Sequence, residues 1–127
     1  MKISISATAS EMGRRAARDV AERLNRAIAE NGGARLLLST GASQFEMFES
    51  LIQEDVDWSR VDMFHLDEYI GLPITHPASF RKYLTDRFTS RVPLRSVHFV
   101  EAEGDIGAAL AKLNAEIKKA PIDVGLI

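Results

Sequence analysis

One short run of residues, Arg35-Leu36-Leu37-Leu38-Ser39, most narrows the folds that this chain can adopt. It is almost wholly apolar and a turn follows it at once, which is typical of a parallel strand buried on both faces. Further apolar runs predict strands at 61–66, 96–100 and 122–127, separated by segments with helical periodicity. Alternating strands and helices predict a doubly wound α/β fold, a Rossmann-like three-layer structure whose mostly parallel sheet is covered on both faces.

The helices are predicted from apolar residues that recur every three or four positions. Ser10 is expected to cap the first helix and Gly32-Gly33 to end it, because glycine accepts the left-handed C-terminal conformation. Lys2 to Ala7 alternate isoleucine with serine, which predicts a short strand near an edge of the sheet. The expected apolar stripes are Met12, Ala16, Val20, Leu24 and Ile28; Phe45, Phe48, Leu51 and Ile52; Phe80, Leu84 and Phe88; and Leu110, Leu113 and Ile117.

Composition excludes several classes of protein. With 127 residues, 46% of them hydrophobic, the chain fits one domain with a sizeable core. The net charge of −2 gives no reason to expect nucleic acid or an anionic membrane as a partner. Cysteine is absent, so disulfides and thiolate sites are excluded. The N-terminus does not resemble a signal peptide and no apolar run approaches the ~20 residues of a membrane span, so a cytoplasmic location is expected.

The last apolar run ends together with the chain, at Ile127. A parallel strand normally continues into a turn and a covering helix, and ligands of open α/β sheets lie beyond the carboxyl ends of the strands. We therefore expect residues 1–127 to be the N-terminal part of a single, longer α/β domain, truncated after its last strand and lacking part of its ligand site.

The first candidate site is the turn Ser39-Thr40-Gly41-Ala42-Ser43. Gly41 permits close approach of a backbone, two residues offer hydroxyls, and a helix begins nearby with free amides, a combination that suits a phosphate. The alternative is an ordinary capped turn with Ser43 as N-cap, which the spacing alone favours. The segment is not a P-loop, because Glu46 stands where a glycine is needed and no Gly-Lys-Ser/Thr follows.

The second candidate site is Asp67-Glu68-Tyr69, where the strand at 61–66 ends. A carboxylate at this position can act as a general base. Because adjacent residues of an extended chain point in opposite directions, one carboxylate is expected to face a ligand and the other to hold the loop. A solvated loop with a capping aspartate is the alternative. His65 and Asp67 share a strand face, but two ligands make a weak metal site, so His65 is expected to be hydrogen-bonded beside the core.

Taken together, these residues resemble the glucosamine-6-phosphate deaminase (isomerase) family. The resemblance is carried by Ser-Thr-Gly-Ala-Ser at 39–43, by Leu66-Asp67-Glu68-Tyr69-Ile70-Gly71-Leu72-Pro73, and by His76-Pro77-Ala78-Ser79-Phe80. It implies an enzyme that converts glucosamine 6-phosphate and water to fructose 6-phosphate and ammonia, with no metal and no organic cofactor. It also implies that Asp67 is the base that moves a proton between C2 and C1. The implied substrate-binding residues are Ser39, Thr40, Gly41, Ala42, Ser43, Glu68 and Phe80.

Departures from the family pattern define the alternatives. Ala42 stands where a second glycine is common, and Phe80 stands where tyrosine is frequent. The family's Asn/Asp-Gly-His segment and its further phosphate-binding basic residues would lie beyond Ile127, so this chain alone is expected to have little or no deaminase activity. A 6-phosphogluconolactonase usually has Asp-Glu-Arg in place of Asp67-Glu68-Tyr69, which makes it the nearest rival. A non-catalytic sugar-phosphate sensor is the second rival, and the sequence leaves a homo-oligomer open.

Overall fold

The computed structural model describes residues 3–127, and its strands form one parallel sheet. The strands lie in the order β3 (Ser96–His98), β2 (Val61–His65), β1 (Ala34–Leu38) and β4 (Val124–Leu126). The chain therefore adds β2 and β3 on one side of β1 and then places β4 on the other side of β1. The α/β prediction is thereby confirmed. The elements are α1 (Ala9–Asn31), β1 (Ala34–Leu38), a 3₁₀ turn (Ala42–Gln44), α2 (Phe45–Leu51), a second 3₁₀ turn (Trp58–Arg60), β2 (Val61–His65), α3 (Phe80–Leu84) with a π-helical turn (Thr85–Thr89), β3 (Ser96–His98), α4 (Ile106–Ile117) and β4 (Val124–Leu126).

The register of the sheet assigns its side chains to two faces, because neighbouring residues of a strand point to opposite sides. Leu36 pairs with Met63 and with Val124, and these three buried side chains lie on the face covered by α1 and α2. On the other face the guanidinium of Arg35 donates to the carbonyls of Ile117 and Glu116, at the C-terminal end of α4. Both faces therefore carry helices, as predicted.

Helix α1 buries most of the expected stripe: Val20 and Leu24 are buried, Ala16 and Ile28 pack partly buried against the core, and Met12 is the exception. Thr8, not Ser10, is the N-cap, and its hydroxyl accepts a hydrogen bond from the Glu11 amide at 3.1 Å. Met12 is 48% exposed, whereas its neighbour Gly13 is buried against α2. A Cβ at position 13 would lie 2.7 Å from the backbone of α2, so glycine permits the close approach of the two helices. At the other end Gly32 adopts φ 77°, as predicted for the cap.

Two further expectations fail at the ends of the chain. Ile3 and Ile5 are exposed and residues 3–7 form no strand, because they pair with no neighbouring strand; Lys2 lies outside the described residues. In α4, Leu110 was expected to face inward but is 43% exposed, and no residue of this helix is fully buried. Within residues 3–127 no helix is both long and apolar enough to cross a membrane.

Candidate functional site

The turn after β1 lies where the strand order reverses, between β1 and β4. The amide of Ser39 donates to the carbonyl of Leu126 at 2.9 Å, which carries the β1–β4 pairing up to the first residue of the turn. The side-chain amide of Gln44 donates to the Ser39 hydroxyl at 3.0 Å and ties the two ends of the turn together. In open α/β sheets a crevice for ligands forms at such a reversal point, beyond the carboxyl ends of the strands.

The amides of this turn are available to a ligand. Within residues 3–127, the backbone N–H groups of Thr40, Gly41, Ala42 and Ser43 donate to no protein atom. The carbonyl of Gly41, by contrast, accepts from the Gln44 amide at 3.0 Å and from the Tyr83 hydroxyl at 2.8 Å. Backbone amides without a protein acceptor can donate to an anion. The turn therefore has the donors that a phosphate requires.

The capped-turn alternative does not describe this segment. Gln44 is the N-cap residue of α2, and it makes no side-chain capping bond, so the Ser43 hydroxyl is not the cap. Gly41 is extended, with φ 166° and ψ 148°, and a Cβ there would meet only the Ser43 hydroxyl at 3.5 Å. Glycine is thus not required here by the conformation of the backbone, and the close approach predicted for Gly41, which concerns a ligand, stays a prediction.

The second junction lies beside the first, because β1 and β2 are neighbours in the sheet. Leu38 pairs with His65, and the amide of Leu66 donates to the Leu38 carbonyl at 2.9 Å. The next residue, Asp67, is exposed and forms no ion pair or side-chain hydrogen bond within residues 3–127. Its carboxylate is therefore free to act on a ligand at the carboxyl edge of the sheet.

Glu68 has the opposite environment, because its carboxylate is fully enclosed. Its oxygens accept from the Ser79 hydroxyl at 2.8 Å, from the Arg81 amide at 2.8 Å and from the amides of Tyr69 and Phe80. Burial by itself raises the pKa of Glu68, but these hydrogen bonds outweigh burial and lower that pKa to about 2. Glu68 thus fits the loop-holding alternative, and its carboxylate is not accessible for the substrate contact that the family resemblance implies.

Arg81 completes this buried network, and sequence reasoning did not single it out. Its guanidinium donates to Glu68 at 3.4 Å, to Glu101 at 2.8 Å and to Glu103 at 2.9 Å, while the Leu72 carbonyl accepts at 2.9 Å. The loop after β2, the start of α3 and the segment after β3 are therefore joined at one side chain. Spacing could have indicated that Arg81 is buried, because it lies three residues before buried Leu84 and therefore on the same face of α3.

A pocket of about 450 Å³ opens between the turn and α3. Tyr69 and Phe80, whose ring centroids are 4.9 Å apart, form one wall, and Tyr83 lies on the same side as Phe80 along α3. Asp67 is not among the lining residues, so the pocket adjoins the turn more closely than it adjoins the candidate base. Its lining includes Thr40, Gly41, Ala42, Phe45, Tyr69 and Phe80.

His65 is buried, as expected, and hydrogen-bonded on one side only. Its Nδ1 accepts from the Val100 amide at 3.4 Å, and its ring meets Phe99 edge-on, whereas Nε2 has no partner within residues 3–127. Burial lowers the pKa of His65, and the negative charges of Glu68 and Asp67 offset this only in part. No group of three or more potential metal ligands occurs in the described part of the chain, so the weak metal alternative gains no support.

Acid is therefore expected to destabilise the fold through His65. Because burial lowers the pKa of the folded ring, that ring takes up a proton less readily than the unfolded chain, in which histidine has its usual pKa of 6.5. The free energy of unfolding should fall by up to about 1.4 kcal/mol per pH unit as the pH drops below that value. Urea unfolding between about pH 7 and pH 5 measures this slope. His65→Gln should reduce this dependence of stability on pH, whereas the control His76→Gln, at an exposed histidine, should not. An unchanged slope in His65→Gln would show that His65 is not its cause.

Known proteins of similar sequence fall into one family. The family model described as glucosamine-6-phosphate isomerases/6-phosphogluconolactonase matches residues 7–126. A curated glucosamine-6-phosphate deaminase of Exiguobacterium sp. is 32% identical over 91 residues, which are 71% of this chain and 36% of that protein. Another, from Lactobacillus delbrueckii subsp. bulgaricus, is 27% identical over 128 residues, covering 100% of this chain and 53% of the relative. The chain thus spans about half the length, or less, of these curated relatives.

Solved structures agree with this assignment. A monomeric glucosamine-6-phosphate deaminase superposes with a TM-score of 0.78 at 25% identity, over 93% of this chain and 50% of that one. A 6-phosphogluconolactonase from Shewanella baltica gives the same TM-score of 0.78 at 21% identity, over 93% of this chain and 52% of its own, which shows a shared fold alone.

Proposed function

Because the chain belongs to the family of glucosamine-6-phosphate isomerases and 6-phosphogluconolactonases, we propose that it provides the phosphate turn and the proton-transfer base of a glucosamine-6-phosphate deaminase. Its relatives are about twice as long, so we assign residues 1–127 to the N-terminal part of a longer α/β domain. The observation that carries the proposal is the adjacency of two chemically different junctions, a turn with free amides and an unpaired carboxylate, at the carboxyl edge of β1 and β2.

The turn is assigned to the phosphate of the substrate. Backbone amides bind phosphate oxygens without side-chain entropy, and the four N–H groups from Thr40 to Ser43 have no competing protein acceptor within residues 3–127. Ala42 contributes its amide as a glycine would, since the backbone of this turn needs no left-handed residue. Phe80 supplies an apolar wall of the adjoining pocket, so its contact with the sugar is through the ring and not through a hydroxyl.

Asp67 is assigned to proton transfer. Conversion of an aldose to a ketose requires that a proton leave C2 and return at C1, and one carboxylate beside an enediol-like intermediate can perform both steps. Asp67 is the carboxylate of the pair that remains accessible, because Glu68 is enclosed by the amides of α3. The proton transfer leaves an imine at C2; water adds to this carbon, and loss of the amine as ammonia yields the ketose.

The chain of 127 residues should show little or no turnover by itself. The family's histidine-containing segment for opening the sugar ring is not part of this sequence. Ammonia release from glucosamine 6-phosphate is expected to be at least about 1,000-fold slower than that of the Lactobacillus delbrueckii deaminase measured in parallel. Comparable turnover by the two proteins would refute this expectation.

A protein that joins residues 1–127 to the second half found in its relatives would separate the competing functions. Hydrolysis of 6-phosphogluconolactone, once the chain is joined to the second half found in its relatives, would indicate a lactonase. Tyr69 argues against that activity, since it replaces the arginine expected in lactonases. Binding of glucosamine 6-phosphate by the joined protein, without release of ammonia, would instead identify a sensor.

A further inference from the structure

The hydroxyl of Tyr83 is the one side-chain group outside the turn that bonds to the turn's backbone within residues 3–127. It donates to the carbonyl of Gly41 at 2.8 Å, across 42 positions of sequence. We infer that Tyr83 is a positioning residue, which fixes the orientation of the phosphate turn so that its amides face the ligand. The inference rests on the proposed function, because it assigns a purpose to the geometry of that same site.

The orientation of one peptide unit carries the argument. A trans peptide unit is planar, so its carbonyl and its N–H point in opposite directions. The carbonyl of Gly41 is held from two sides, by the Gln44 amide at 3.0 Å and by Tyr83. With that oxygen held by these two donors, the amide of Ala42, which belongs to the same peptide unit, points away from them.

Tyr83 is itself held rigidly enough for this role. Its ring packs against Phe45 with centroids 5.7 Å apart and against Phe48 at 6.1 Å. Burial raises the pKa of Tyr83, and the charge of Arg87 offsets the rise only in part, so the hydroxyl keeps its proton and remains a donor. Its fixed position makes the hydroxyl a constraint on the turn.

The same helix also connects the two junctions. At its N-terminal end, α3 is fastened to Glu68 through the amides of Phe80 and Arg81, at 3.1 Å and 2.8 Å. One turn later, Tyr83 fastens it to Gly41. Helix α3 therefore sets the separation between the phosphate turn and the loop that begins with Asp67, a separation that the substrate must match.

Tyr83→Phe removes the hydroxyl and keeps the ring, so it tests the inference directly. The matched control is Thr85→Val, which deletes a hydroxyl of the next turn whose partner is the Arg81 carbonyl at 2.8 Å. Binding of glucosamine 6-phosphate and of glucosamine by the 127-residue chain is measured by NMR titration. We expect Tyr83→Phe to weaken binding of the phosphate ester about 5- to 10-fold and to leave binding of glucosamine unchanged.

Hydrogen exchange of the Gln44 amide gives a second readout that needs no ligand, because this amide shares the Gly41 carbonyl with Tyr83. It should exchange several-fold faster in Tyr83→Phe and at the wild-type rate in Thr85→Val.

If the wild type binds the phosphate ester and Tyr83→Phe binds it equally well, the inference fails while the proposed function stands. If Tyr83→Phe weakens the binding of glucosamine as much as that of the phosphate ester, or if Thr85→Val weakens binding of the phosphate ester equally, the effect is one of general packing. Either result would also overturn the inference. If the wild type binds glucosamine 6-phosphate no better than glucosamine, the phosphate assignment fails and the inference falls with it.

Discussion

Replacement of Glu68 by alanine is expected to lower the free energy of unfolding by about 3–5 kcal/mol. The change leaves the buried guanidinium of Arg81 without its enclosed partner and strips acceptors from the Ser79 hydroxyl and from the first amides of α3. The magnitude agrees with the acid–base behaviour of the carboxyl group. A pKa lowered from 4.5 to about 2 corresponds to ~3 kcal/mol that favours the ionised, folded state at neutral pH.

Urea unfolding followed by fluorescence of Trp58 measures this loss, since the chain has a single tryptophan and its ring is buried edge-on against Phe88. Glu101→Ala is the matched control, because Glu101 also bonds to Arg81 but is 59% exposed, and it should cost less than about 1 kcal/mol. Should Glu68→Ala prove unfolded in the absence of urea, Glu68→Gln provides a measurable intermediate. Equal, small losses for Glu68→Ala and Glu101→Ala would show that the buried network does not hold the loop.

Replacement of Asp67 by asparagine is expected to reduce turnover about 1,000-fold in a protein that joins residues 1–127 to the second half present in its relatives. Asparagine keeps the size of the side chain but cannot accept the C2 proton. Because Asp67 is exposed and makes no ion pair in the described part of the chain, the fold should be unaffected. The dissociation constant for glucosamine 6-phosphate should therefore change little.

Two measurements separate the chemical role from binding. Ammonia release reports turnover, and exchange of the C2 hydrogen with solvent deuterium reports the proton-transfer step itself. Asp19→Asn is the control, since Asp19 is an equally exposed carboxylate on α1 and should leave both rates at wild-type values. Retained exchange in Asp67→Asn would remove this residue from the role of base and direct attention to another group at the site.

Local sequence predicted the elements of this fold well, because strand and helix identity depends mainly on nearby residues. The apolar run at 35–39, the polar turn after it and the glycine at position 32 each indicate a local conformation, and the structure has a strand at Ala34–Leu38 and a left-handed cap at Gly32. The predictions that failed concern neighbours remote in sequence. Met12 is exposed because α2 packs over its neighbour Gly13, and residues 3–7 form no strand because no strand within residues 3–127 pairs with them.

At the candidate site, too, local features could be predicted from sequence, whereas contacts between remote residues could not. Sequence alone identified two junctions with phosphate-binding and acid–base potential, since both are short motifs of distinctive chemistry. It could not decide which of Asp67 and Glu68 would be free, because that depends on the amides and the guanidinium that α3 brings to Glu68 from residues 79–81. Nor could it find the bond from Tyr83 to Gly41, which spans 42 positions.

Sequence by itself thus determined the α/β alternation, the two junctions and the family resemblance, because these depend on short-range periodicity and on motifs. The tertiary structure decided which carboxylate is enclosed, which amides are free and which helix holds the two junctions at a fixed separation. The physical reason is that hydrogen-bond partners and burial depend on which groups tertiary packing brings into contact. The periodicity of one segment does not specify which distant residues will contact it.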